Sequence, residues 1–229
     1  MPNLRTKFLT LPDLSMKIRN LLFKPALHDE ARALLDRYHC PVPFHAVRTR
    51  FLGQSLSLSA SPLDAVKSLW GGVLPEFEDR DARNELMATL MVGLWDELAR
   101  HRDKGSPFQL VRMAVPSTRK GLVEIAVVRG EELGGFAEGV SGASESLPLP
   151  RRPQFALKVL SFLRSLFADL HRLASDPTKL TIGDVAEIYD QVPEMTKTGE
   201  HMIHEFVRAA AHSRRQLLNI VPITKPTAH

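Results

Sequence analysis

The chain has 229 residues, 44% of them hydrophobic and 24% charged, with a formal net charge of +4. That composition is ordinary for a folded globular protein, and the length allows one large core or two smaller ones. A single cysteine, Cys40, excludes an internal disulfide framework and any Cys-rich zinc module, and no run reaches the roughly 18–20 apolar residues that cross a bilayer.

The positive charge is spread rather than blocked. Residues 1–60 hold nine Lys/Arg against four Asp/Glu, 61–140 hold ten against thirteen, and 141–229 hold eleven against nine. In the basic first quarter, Arg and Lys alternate with apolar residues, as on the wet sides of amphipathic helices. The N-terminal apolar stretch is short, broken by Pro12, and followed by no small-residue cleavage pattern, so no signal peptide is expected. With one cysteine as well, the chain reads as cytoplasmic.

Taken in order, Pro12-Asp13 opens a short helix to Phe23, and Pro25 suits the first turn of a second one reaching about Tyr38. The stiff Cys40-Pro41-Val42-Pro43 connector leads to a helix over Phe44–Leu56. Ser61-Pro62 pairs a cap with proline at the first helical position, predicting a short helix to Trp70 that Gly71-Gly72 ends. A long helix within Leu74–His101 is the strongest prediction. Leu86, Leu90, Leu94 and Leu98, with Met87, Met91 and Trp95, form one broad apolar face behind the capping acids Asp79 and Asp81.

The middle of the chain is less clear. Residues 107–116 read as a strand or a packed extended connector, and LVEIAVV at 122–128 either pairs with it as a small β-hairpin or starts a helix, the second being favoured because Glu131-Glu132 continue a helical pattern to Phe136. The Ser/Gly/Pro-rich stretch 141–153 reads as an exposed linker. A helix over Pro153–Ala174 follows, apolar over more than half its girth and so expected at the centre of a bundle. Then come a short helix Thr181–Tyr189 and a long one opened by Pro193, whose Met195, Met202, Phe206, Ala209, Ser213, Leu217 and Ile220 make a three-four seam for an antiparallel helix pair or a homodimer. The expected fold is mainly α, with orthogonal or bundled helices in two subdomains: 1–140, a linker at 141–152, and 153–229.

The block SPLDAVKSLWGGVLPEF and the following LMATLMVGLWDELARH (residues 62–101) resemble the YecA-like family of small bacterial helical proteins, which shows a Trp-containing turn, a Pro-x-Phe lead-in and a long helix. The segment EELGGFAEGVSG is similar to a Gly-Phe signature of that family, although here it follows the Trp block rather than preceding it. The resemblance implies a helical fold. Many members end in a Cys-rich zinc motif linked to protein-export or ribosome partners, a module this chain lacks.

Chemistry-bearing residues gather in GEHMIHEFVRAAAH. His201, His204 and Glu205 fall within one helical turn, a spacing that can chelate a divalent transition metal, with His212 two turns on and Glu187, Asp190 or Glu194 as added oxygen donors. The order is not that of a His-Glu-x-x-His protease site, and a solvated face is the favoured reading. Arg208, Arg214 and Arg215 on the same helix, with Arg151-Arg152, could neutralise phosphates, but no recognition-helix signature or aromatic stacking platform accompanies them. His39 beside Cys40 lacks an orienting third group, QSLSLSAS lacks a hydrolase elbow, and the glycine pairs at 71–72 and 134–135 read as turns. The leading expectation is a non-enzymatic interaction or adaptor protein with a protein partner and no cofactor. The alternatives are a metal-binding protein or metal-dependent enzyme, and a nucleic-acid-associated regulator.

Overall fold

Helix starts are set by side chains that accept orphan backbone amides. In the computed structural model, which describes residues 26–104, 107–146 and 151–220, Ser61 Oγ accepts from the Asp64 amide at 3.2 Å and Asp79 Oδ1 from the Ala82 amide at 2.8 Å. Thr181 and Asp184 do this reciprocally: the Asp184 amide donates to Thr181 Oγ1 and the Thr181 amide to Asp184 Oδ2. The helices are α1 (26–37), α2 (Phe44–Gln54), α3 (Pro62–Ser68), α4 (Arg80–Met87), α5 (Asp96–Lys104), α6 (Arg119–Ser146), α7 (Arg151–Ser175) and α8 (Ile182–Ile220). The expected helix at 12–23 lies outside the described residues. Gly71 and Gly72 turn the chain after α3 at positive φ of 73° and 101°.

Between α4 and α5 the helix is continuous, but Ala88–Trp95 is π-helical. The leucines explain its use. An α-helix overshoots a full turn by about 40° every four residues, so a strict i+4 row drifts off its face. Wider π turns cancel much of that drift, and Leu86, Leu90, Leu94 and Leu98 are all no more than 1% exposed. Helix α1 lies against this row: Thr89 Oγ1 donates to Glu30 Oε1 at 2.9 Å, and His28 Nε2 is 3.4 Å from Glu97 Oε2.

Helix α6 is the axis of the packing, with α2 on one side and α7 on another, and α8 packs along α7. Its contact with α2 is backbone to backbone. A Cβ on Gly135 would stand 2.6 Å from the Ala46 carbonyl oxygen and one on Gly139 2.3 Å from that of Arg50. On α2, a Cβ on Gly53 would meet the Phe136 carbonyl at 2.8 Å. The pairings of Gly135 with Ala46 and Gly139 with Arg50 advance together, as do the ion pairs His45–Glu131 and Arg50–Glu138, so α2 and α6 run in the same direction. Glycines 134–135 are therefore helical packing residues and not the turn expected of them.

Two further expectations are corrected. Among the described residues there is no strand, so the β-hairpin near 107–128 is absent: 107–116 forms no ladder, 117–118 bend, and 119–128 opens α6, as the favoured helix reading of 122–128 expects. The extended segment does alternate, with Phe108 and Leu110 buried and Gln109 and Arg112 exposed. Helix α8 is continuous through Pro193 rather than two helices. Proline removes only the bond to the Tyr189 carbonyl, while Val192 before it and Ile203 and Phe206 after it enter one core. Within the 141–152 segment, residues 141–146 prolong α6 and α7 begins at Arg151. The core does not divide there: one cluster runs from Ala31 to Ala210, and Phe136 meets Phe206 edge to face at 5.6 Å.

The extended connector is held by charged side chains from the helices. Glu132, itself 0% exposed, accepts the Val111 amide at 2.8 Å, Arg129 Nη2 donates to the Val111 carbonyl at 2.7 Å, and Arg129 Nη1 donates to Glu132. Glu200 accepts the Leu110 amide at 3.0 Å, Arg48 donates to the Gln109 carbonyl, and the Tyr189 hydroxyl donates to the Val115 carbonyl. Burial pushes the Glu132 carboxyl above its ordinary range, against the pull of Arg129.

Candidate interaction surface

Helix α7 carries more apolar residues than its neighbours can cover. Ala156, Leu160, Leu163, Phe167, Leu170 and Ala174 recur at three-four spacing and are buried against the bundle. A second row, Phe155, Val159, Phe162 and Leu166, recurs at the same spacing about a quarter-turn away. Phe155 and Phe162 are 63% and 62% exposed, while Val159 and Leu166 are half-buried. Other exposed apolar side chains, Val73, Val92 and Ile182, are scattered singly. A lone exposed apolar residue means little, whereas apolar residues aligned along one helix face make a candidate binding face.

The row's side of the bundle follows from its neighbours. Arg164 lies against Gly134 of α6, and His171 lines a cleft with α6, so that flank of α7 faces α6. The exposed row lies on the opposite flank. On α8, Met195, Met202 and Ala209 are half-buried at seven-residue intervals, turned away from Thr196 and Glu200, which serve the connector. The sequence put both Phe155 and Phe162 in the bundle centre; the surplus girth faces outward instead.

The residues expected to bind metal do not converge. His201 is exposed, His204 and Glu205 are half-buried, and Glu205 pairs with Arg208 at 3.7 Å. Among the described residues no group of three or more His, Cys, Asp or Glu is gathered closely enough to hold a metal ion. The three expected phosphate contacts also separate. Arg208 and Arg215 are exposed, whereas Arg214 reaches back to donate to the carbonyls of Ser55 and Ser57 beyond α2, where Arg102 donates to Ser55 at 2.7 Å. Arg214 serves the fold.

An open cleft of about 430 Å³ lies between the α1–α2 turn, α6 and α7. Its two carboxylates are paired across the helices: His45 Nε2 lies 2.7 Å from Glu131 Oε2 and Arg50 Nη1 lies 3.3 Å from Glu138 Oε2. Cys40 is half-buried, and burial raises its thiol pKa, the wrong direction for a nucleophile. His39 beside it points out at a φ of 47°. No helix among the described residues is long and apolar enough to cross a membrane. The chain matches no protein-family model, no curated protein and no solved structure, so its function is read from this geometry.

Proposed function

We propose that the chain is an interaction protein that binds another polypeptide through the outer face of α7. The observation that carries this is the row Phe155, Val159, Phe162 and Leu166, with two phenylalanines more than 60% exposed on a well-formed helix. Burying such aromatic side chains is the main source of binding energy at protein interfaces. A three-four row on one helix fits a second helix laid along it.

A photoreactive amino acid at position 162, in cells expressing the chain, tests this. Discrete polypeptide adducts are expected from position 162, and their loss when Phe155 is changed to Asp. Position 92 on the π segment, equally exposed but isolated, is the control. Identical adducts from 162 and 92, or adducts indifferent to Phe155→Asp, would overturn the reading.

A further inference from the structure

We infer that the occupant of the α7 face is a second copy of this chain, docked by an antiparallel pairing of α7 with α7. The inference rests on the interaction reading above and names its partner. The row has the alternating four-three-four spacing of a coiled-coil seam: Phe155, Val159, Phe162, Leu166. In an antiparallel pair related by a two-fold axis, the first position of one row meets the last of the other. Phe155 then packs on the second copy's Leu166, and Val159 on the second copy's Phe162. Each layer joins an aromatic ring to an aliphatic side chain, and four such layers close the interface symmetrically.

Charge decides between this arrangement and the parallel one. Extending the same spacing by one position at each end reaches Arg152 and Asp169, both exposed. Antiparallel docking places Arg152 opposite the second copy's Asp169, and the two-fold axis makes that pair twice, once at each end of the apolar layers. Parallel docking would set Arg152 against Arg152 and Asp169 against Asp169. Like charges at such positions disfavour a register, and opposite charges select it. Asp169 is held by Arg172 at 2.9 Å on its own helix, which orients its carboxylate without covering it: its side chain keeps 59% of its exposure. The self-complementary pattern is what an isologous interface requires, since one patch must serve as both halves.

Sedimentation velocity on the full chain over a wide concentration range tests the inference. A reversible monomer–dimer equilibrium is expected for the natural sequence. Phe162→Asp should weaken it by about a hundredfold or more, because each dimer would bury two carboxylates among apolar layers. Circular dichroism should show unchanged helicity, since residue 162 is exposed in the single chain. Arg152→Glu and Asp169→Arg should each weaken the dimer, by roughly tenfold for two attractive pairs turned repulsive. The double variant should restore it. A dimer untouched by Phe162→Asp would move the interface elsewhere, and failure of the double swap to rescue would overturn the antiparallel register. A chain that stays monomeric at all concentrations overturns the second copy as occupant. It leaves the α7 face open to a different polypeptide, which adducts from position 162 would then reveal.

Discussion

Glu132 and Arg129, three residues apart on α6, together satisfy both backbone groups of one residue, Val111, as a neighbouring strand would. The side-chain pair substitutes for a β-ladder and explains how an extended segment can cross a helical protein with its amides satisfied. The pair is nearly closed to water, with side-chain exposures of 7% and 0%. Its strength depends on both members being present.

Arg129→Met should cost about 3–5 kcal/mol at neutral pH, because it leaves a buried carboxylate without its counter-charge. The pH dependence has a definite sign. Burial already raises the folded-state pKa of Glu132, and removing Arg129 raises it further. A raised folded pKa contributes stability that is fully present below the ordinary glutamate pKa and is lost as pH rises through the folded value. Denaturation curves should therefore show the Arg129→Met deficit shrinking on acidification. A deficit independent of pH would mean that Glu132 is not the group left uncompensated.

Glycines of α6 should split by position. Gly135→Ala and Gly139→Ala drive a methyl into α2 carbonyls and should destabilise by about 1–3 kcal/mol. At Gly130 an added Cβ meets nothing within 4 Å, and Gly130→Ala should instead stabilise by about 0.5–1 kcal/mol through helix propensity alone. Thermal melts of the three variants decide this, and an equal response at 130 and 139 would sink the close-packing account.

This contrast shows where the sequence was legible. Helix starts at Ser61-Pro62 and Asp79 and the long leucine row could be read because caps and periodicity are local. Gly134 and Gly135 read as a turn because glycine argues against a helix locally, and the reason for glycine here is a carboxyl-terminal stretch of α6 pressed on α2, some 90 residues earlier by the numbering. The β-branched run at 122–128 left a hairpin open beside the favoured helix, because the partner of 107–116 is a set of side chains, invisible to strand patterns. The apolar girth of α7 was visible, but which half faces outward depends on where α6 and α8 sit.

Within the π segment, Leu90→Ala should cost about 2–5 kcal/mol, since Leu90 is fully buried. Val92→Ala, two residues on and 70% exposed, should stay within about 0.5 kcal/mol. Chemical denaturation of both variants tests whether the widened turns place the leucines inward.

A protease site inserted within 147–150 should yield two fragments that co-elute and unfold in one transition, because the core joins α2, α6, α7 and α8. Fragments that separate and melt independently would restore a two-subdomain organisation.

Added zinc or manganese should leave the melting temperature unchanged, as no cluster of ligands is gathered among the described residues. A ligand of the native state raises stability by mass action. A stoichiometric rise abolished by replacing His201, His204 and Glu205 with Ala would revive the metal reading.

Arg214 closes the end of α2 from 159 residues further along the chain. During synthesis at about 5–20 residues per second, the Ser55 carbonyl waits roughly 8–30 s before that guanidinium is even made. The first helices must spend that interval without their last clamp, and with Phe206, which edges onto Phe136, still to come. Folding of this chain is therefore vectorial only in part: its N-terminal helices can form early, but the assembly locks when the final helix returns to the beginning.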